Sequence, residues 1–167
     1  MIRLFGLVLL LLTAGCASEP APAVAEPQVA VLPPPVQPMQ CVPYARMVSG
    51  VNLRGDAWTW WGQADGRYGR GKKPRAGAVL VFTKTSRLPL GHVSVVTKVV
   101  NAREILVTHA NWSSRGTGRG QVTSNVRVID ISPGNDWSEL RVWNDDLDDF
   151  GLAYPALGFI YQGAAGV

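Results

Sequence analysis

The sequence is poor in cysteine and histidine, with only two of each among 167 residues. So few cysteines exclude a scaffold held together by disulfides. Cys16 lies in an N-terminal leader, which leaves Cys41 as the single thiol of the folded part. No H-x-x-x-H or C-x-x-C spacing occurs, and this argues against a zinc site. We therefore expect no metal and no other cofactor.

The chain also lacks a hydrophobic run of membrane-spanning length near its start. Residues 4–12 are apolar and follow Arg3, a pattern typical of a secretory signal peptide and too short to cross a bilayer. Small residues then lead into Cys16, as in the lipobox of bacterial lipoproteins. This resemblance predicts a signal peptide over residues 1–15 and a lipid on Cys16. The alternative is plain secretion, with Cys16 incidental.

Residues 16–39 are rich in proline and alanine and show neither helical nor strand periodicity. We expect a disordered, semi-stiff tether between the lipidated cysteine and a folded domain over residues 40–163. Acyl chains on Cys16 would hold the protein at a membrane surface. Ala17 directly after Cys16 resembles lipoproteins sorted to an outer membrane, which predicts a place in the cell envelope facing the periplasm.

Acidic residues are scarce in the first part of the folded region. Residues 40–129 contain fourteen Lys/Arg and three Asp/Glu, whereas residues 130–167 contain one Arg and seven Asp/Glu. No nucleic-acid-binding module is recognisable, so a nucleic-acid partner is not expected. The basic part suits an anionic polymer of the cell envelope, or is simply a solvated surface.

Periodicity predicts two helices followed by strands. Tyr44, Met47, Val48 and Val51 have the spacing of an amphipathic helix that starts near Cys41 and stops at Gly50. A second helix is predicted from Asp56 as N-cap, and a basic, glycine-rich loop follows it. Apolar or alternating runs at 78–82, 91–100, 104–112, 124–131 and 156–162 predict strands. This order favours an α+β fold with an antiparallel sheet.

The two histidines lie on neighbouring strands of a predicted hairpin. Any two- or four-residue loop centred near residue 102 places His92, His109 and Asn111 on one face, because side chains alternate with period two. A helix N-terminus and a nearby imidazolium would lower the pKa of the Cys41 thiol. Gly91 would leave room for a substrate backbone. Taken singly, a buried cysteine or a strand histidine is more often structural, and the tryptophans are best explained as core residues.

Four segments stand out together: "QCVPYAR", the P-x-x-G-x-x-x-V-F segment at residues 74–82, "GHVSVV" and "THANW". Together they resemble a CHAP domain, a cysteine- and histidine-dependent amidohydrolase/peptidase of the NlpC/P60 superfamily. The resemblance covers residues 38–162. It implies a papain-like fold, with N-terminal helices packed on an antiparallel sheet.

The resemblance also implies residue roles and a substrate. Cys41 would be the nucleophile and His92 the base, while either His109 or Asn111 would orient His92. The oxyanion hole would use the Cys41 backbone N–H, with Gln40 as a weaker candidate. The substrate would be peptidoglycan, cut by an N-acetylmuramoyl-L-alanine amidase or a stem or cross-bridge endopeptidase. The alternatives are a non-catalytic wall-binding or partner-binding module, and a thiol acyltransferase or hydrolase acting on a non-wall amide or ester.

Overall fold

The computed structural model describes residues 38–112 and 119–163. The predicted signal peptide, the lipidation site Cys16 and the tether up to residue 37 lie outside these residues. Within the described part of the chain, no helix combines the length and the apolar character needed to cross a membrane.

Among the described residues, α-helical structure is limited to two short helices near the start of the folded part. Helix α1 spans Cys41–Ser49, and helix α2 spans Trp60–Gln63 after a 3₁₀ turn at Ala57–Thr59. The predicted stop at Gly50 is confirmed, since Gly50 adopts a left-handed φ of 71° that closes α1. The second helix is shorter than predicted. Asp56 occupies the N-cap position of the 3₁₀ turn that precedes it, but the Asp56 side chain makes no capping hydrogen bond.

The buried face of α1 also differs from the predicted stripe. Tyr44, Ala45 and Ser49 are buried, whereas Met47 is 48% exposed. The small residues Ala45 and Ser49 let α1 approach its neighbours closely, and the Tyr44 hydroxyl reaches Thr108 Oγ1 at 2.7 Å. This contact ties α1 to the strand that carries His109.

The predicted antiparallel sheet is confirmed, and it closes into a barrel. Strand β7 pairs with β2 at one end of the strand order and with β6 at the other, so the ring β7-β2-β3-β4-β5-β6 is complete. The strands are β1 (Gly69–Gly71), β2 (Val79–Phe82), β3 (His92–Asn101), β4 (Glu104–Ala110), β5 (Val122–Asp130), β6 (Glu139–Asn144) and β7 (Asp149–Tyr161).

Two hydrophobic clusters cover the two faces of the strands. Alternate residues of β2 separate between them: Leu80 and Phe82 join Trp137 and Phe159 in one cluster. Val79 and Val81 join the helical residues Ala45 and Trp60 in the other. The first cluster therefore fills the barrel, and the second lies where the helical segment packs outside it.

Three strand segments are not predicted from the sequence. β1 lies in the predicted glycine-rich loop, and β6 gives no clear alternation. The first half of β7 contains Gly151 and Pro155, residues that ordinarily argue against a strand. Pro155 is tolerated because it sits where β7 changes partner, with Pro155 opposite Glu139 of β6 and Ala156 opposite Phe82 of β2.

The predicted hairpin of β3 and β4 is confirmed, with a two-residue loop between Asn101 and Glu104. Two register irregularities follow the loop along the pair. By the point where Val95 pairs with Thr108, the register has regained the parity of a regular two-residue hairpin. His92 and His109 therefore share a face, as predicted.

Gly91 has a packing role in addition to the predicted one. It adopts a φ of 67°, and a Cβ at this position would lie 2.7 Å from the Trp58 backbone nitrogen and 2.9 Å from the Phe82 carbonyl oxygen. Close packing of the protein's own backbone therefore requires glycine here. The glycine positions the start of β3, and with it His92.

We predict that Gly91→Ala destabilises the fold more than a glycine substitution of matched backbone conformation. Gly66 has a similar φ of 65°, but a Cβ added there would meet nothing within 4 Å. Gly66→Ala should therefore cost only the left-handed strain, about 1–2 kcal/mol. Gly91→Ala should cost about 1–3 kcal/mol more because of the clash. Urea unfolding of both variants measures the difference, and equal losses would contradict this account.

Candidate active site

Cys41 is the first residue of α1, where backbone N–H groups lack helical partners. Pro43 has no N–H, and the Tyr44 N–H bonds to the Gln40 carbonyl oxygen at 3.2 Å. The N–H groups of Cys41 and Val42 are therefore the free donors of the first turn. The N–H group of Val93, the residue directly after His92, lowers the pKa of the thiol, and so do those of Val42 and Cys41. The thiol thus lies against the start of β3.

The thiol is less acidic than the sequence analysis predicts. Burial raises the pKa of Cys41 above its ordinary value of 9.0 and outweighs the three backbone N–H groups, which lower it. The helix N-terminus is present as predicted, but loss of hydration dominates because the charged thiolate is the form that burial disfavours. Cys41 is consequently a neutral thiol near pH 7.

The two histidines form a direct hydrogen-bonded pair across β3 and β4. His92 Nε2 and His109 Nδ1 are 3.1 Å apart, and both side chains are buried. Trp112 covers the pair, stacking on the His109 ring at 5.5 Å and meeting the His92 ring edge to face at 4.8 Å. Phe82 contacts His92 from the barrel interior. The pair is therefore held in fixed orientation by aromatic packing.

Both histidines are neutral near pH 7. Burial lowers the pKa of His109 from 6.5 to about 3. Burial also holds the pKa of His92 well below 6.5, and the charge that His109 can carry lowers it further. Since two neutral rings share one hydrogen bond, one nitrogen donates and the other accepts.

Asn111 makes no hydrogen bond to His92 among the described residues. Its Nδ2 donates to Gln40 Oε1 at 2.6 Å, and its Oδ1 accepts the Gly120 N–H at 2.9 Å. The Met39 N–H also bonds to the Gly120 carbonyl at 2.7 Å. Asn111 therefore links the end of β4 to the residue before Cys41, and of the two residues proposed to orient His92, His109 is the one in contact with it.

A cleft of about 490 Å³ brings these residues together. Cys41, His92, Gln40 and Asn111 line it. Gly91 also lines the cleft. Sequence reasoning missed most of the rest of its wall: residues 86–90, Arg119 and Tyr154 are cleft residues, and Trp112 belongs to the wall and the core together. Proximity to His92 is the only sequence signal for residues 86–90, and Tyr154 has none. His109 does not line this cleft; it lines a separate cavity of about 80 Å³.

Residues 34–111 match the family model of the CHAP domain. This chain contains a CHAP domain. The resemblance inferred from the sequence is thereby confirmed, and no curated protein matches the chain. The matched part of the CHAP domain includes Cys41, His92, His109 and Asn111 and ends there, so β5, β6 and β7 lie beyond it. Membership indicates peptidoglycan-related amidase or peptidase activity in general.

In the described part of the CHAP domain, no three Cys, His, Asp or Glu side chains converge as a metal-ligand set.

We predict that Cys41 ionises above pH 9 in the free protein. The chain with Cys16→Ser has Cys41 as its sole thiol, so its rate of alkylation by iodoacetamide reports thiolate formation alone. The rate should be low at pH 6 and rise through an inflection above 9.0, because burial raises the thiol pKa. An inflection below pH 8 would mean that an imidazolium, or the helix end, outweighs burial.

Proposed function

We propose that this protein is a peptidoglycan hydrolase that cleaves an amide bond with Cys41 as nucleophile and His92 as base. The observation that carries the proposal is the arrangement of the cleft, which is lined by both Cys41 and His92. Cys41, at the start of α1, adjoins Val93, the β3 residue next to His92. The Nε2 atom of His92 is bonded to His109. The scissile bond is the N-acetylmuramoyl-L-alanine amide or an amide of the stem peptide or cross-bridge. We interpret the fold as papain-like, with α1 as the helix that bears the nucleophile.

The proton path follows from the nitrogen that His109 occupies. Because His92 Nε2 bonds to His109, only His92 Nδ1 is left to take the thiol proton. A neutral His92 with a free Nδ1 bears its hydrogen on Nε2 and donates it to His109 Nδ1. His109 then bears its own hydrogen on its far nitrogen. The same tautomers serve before and after proton transfer, so no ring has to rearrange.

Attack and proton transfer occur together in this mechanism. The resting thiol and imidazole are both neutral, so His92 removes the proton as the sulfur approaches the carbonyl carbon. His109 stabilises the resulting imidazolium by accepting its Nε2–H. Because burial keeps the pKa of His109 at about 3, that ring stays neutral and able to accept. His92 then protonates the departing amine, and water hydrolyses the thioester.

The oxyanion hole is assigned to the Cys41 N–H and the Gln40 side chain. Gly120 donates to Asn111 Oδ1, so the other end of that amide, Nδ2, is the donor facing Gln40. Gln40 must therefore present Oε1 to Asn111, which leaves its Nε2–H₂ as the group available to the substrate oxyanion. Asn111 acts here as a positioning residue for Gln40. Loss of one such donor typically lowers the rate about 10²–10³-fold.

Cellular placement belongs to the same proposal. Lipid on Cys16 would anchor the chain, most simply on an outer membrane, and residues 17–39 would let the domain reach the wall from the periplasmic side.

The first test is digestion of purified sacculi. We expect the protein with Cys16→Ser to release soluble fragments, and the same protein with Cys41→Ala to release none, because the thiol forms the covalent intermediate. Fragment masses distinguish an amidase from an endopeptidase.

Three other outcomes would point elsewhere. Sacculi that bind both proteins but stay intact under reducing conditions would favour a wall-binding module. Turnover of a small amide or ester with intact sacculi would favour the third class, a transferase or non-wall hydrolase. Equal digestion by the Cys41→Ala protein would remove Cys41 from the mechanism.

A second test separates the two nitrogens of His109. Asparagine places its amide oxygen close to the position of Nδ1, whereas glutamine places its polar group near Nε2. We expect His109→Asn to retain more turnover than His109→Gln, by about tenfold or more, because only the first preserves the acceptor for His92. Steady-state kcat on soluble muropeptides measures this, with thermal unfolding as the control for folding. Equal kcat in both variants would leave the site a Cys41–His92 dyad.

A further inference from the structure

The wall of the cleft is positively charged. Arg87 and Arg119 line it together with Cys41 and His92, and none of the described residues that line it is Asp or Glu. A cleft with charge of one sign raises the local concentration of oppositely charged ligands. Any anionic group near the scissile bond would therefore be attracted, and no described carboxylate of the wall competes for it.

Arg87 is exposed, but two contacts hold its guanidinium in place. Its Nη2 donates to the Ala153 carbonyl oxygen at 2.7 Å, and its guanidinium lies 5.1 Å from the Tyr154 ring centroid. Nη1, Nε and the second hydrogen of Nη2 have no hydrogen-bond or ion-pair partner among the described residues. That second Nη2 hydrogen forms a planar fork with either Nε or Nη1, and such a fork is suited to bind a carboxylate in bidentate fashion.

A continuous series of ring contacts connects Arg87 to the catalytic base. Arg87 stacks on Tyr154, Tyr154 meets Trp112 at 5.1 Å, and Trp112 meets His92 at 4.8 Å. Packed aromatic rings fix the position of the guanidinium relative to His92 more firmly than a mobile side chain would allow. A substrate group bound by Arg87 would thereby set the position of the scissile amide.

We infer that the cleft selects amide substrates that bear a free carboxylate close to the scissile bond, and that Arg87 is the residue that binds it. Arg119 adds positive charge to the same cleft. The inference rests on the proposed function and adds a specificity determinant to it.

The first experiment measures anion attraction without any turnover. Iodoacetate and iodoacetamide both react with the same thiolate, so the ratio of their rates at Cys41 cancels the thiolate fraction and reports the charge around it. In the full chain with Cys16→Ser at low salt, Arg87→Gln should lower the iodoacetate/iodoacetamide ratio about threefold. The effect should shrink at about 0.5 M salt, because screening then shortens the range over which the guanidinium attracts the reagent.

Two further variants serve as matched controls. Lys98→Gln removes one positive charge from an exposed position of β3, roughly 20 Å along the strand from His92, and should leave the ratio unchanged. Arg87→Lys keeps the charge and should keep most of the ratio, although it loses the planar fork.

The second experiment uses a pair of soluble muropeptides that differ only in free carboxylates against carboxamides. In the same Cys16→Ser chain, Arg87→Gln should lower the preference for the carboxylate form, as the ratio of kcat/KM values, about tenfold and chiefly through KM. Arg87→Lys should lower it in part, and Lys98→Gln should preserve it.

The two arms separate failure of this inference from failure of the proposed function. An unchanged alkylation ratio and an unchanged carboxylate preference in Arg87→Gln would overturn the inference while hydrolysis stands. A reduced alkylation ratio in a protein that cleaves neither muropeptide would support the anion site and count against the hydrolase.

Discussion

The hydrogen bond between His92 and His109 depends on the register of β3 and β4, and the rest of the site depends on that hydrogen bond. The two-residue loop sets one register, and two irregularities along the strands shift it twice, so that the parity at the histidines is restored. A single irregularity would turn one ring into the barrel and the other outward. The clash that excludes a side chain at Gly91 fixes the start of β3 in the same way, since it sets where His92 enters the sheet.

Burial of the pair then determines its chemistry. Two imidazoles enclosed by Trp112 and Phe82 stay neutral, and the Cys41 thiol stays protonated, because each charged form would lose its hydration. As the proposed third member of the site, a histidine suits these surroundings better than a carboxylate, because His109 can accept from His92 without bringing a permanent charge into the aromatic cluster. With a neutral partner instead of a carboxylate, His92 is a weaker base, but the aromatic packing fixes the position of its ring.

The parts of this site that depend on short sequence patterns could be predicted from the sequence. The start of α1 at Cys41, its stop at Gly50, the hairpin and the shared face of the histidines all follow from propensity, turn length and strand alternation. Contacts made by folding at long range do not follow. The bond from Asn111 to Gln40 spans 71 positions, and β7 is hidden by a proline that is harmless only where the strand changes partner. The predicted acidity of the thiol is wrong for the same reason, since a helix N-terminus is visible in the sequence whereas desolvation is not.

A raised thiol pKa also bears on why a lone cysteine is tolerable in a protein proposed to reside in the periplasm. Oxidants and disulfides react with the thiolate, so a thiol that stays protonated at neutral pH is consumed slowly. Cys41 is partly buried and has no second thiol within the described chain with which to pair. In the proposed mechanism the sulfur gains nucleophilic character only as His92 removes its proton against a bound carbonyl. The desolvation that makes the resting thiol a weak nucleophile therefore also limits its side reactions. In the proposed mechanism, reactivity comes from substrate positioning, by Gln40 at the oxyanion and by Arg87 at the cleft wall, rather than from a low thiol pKa.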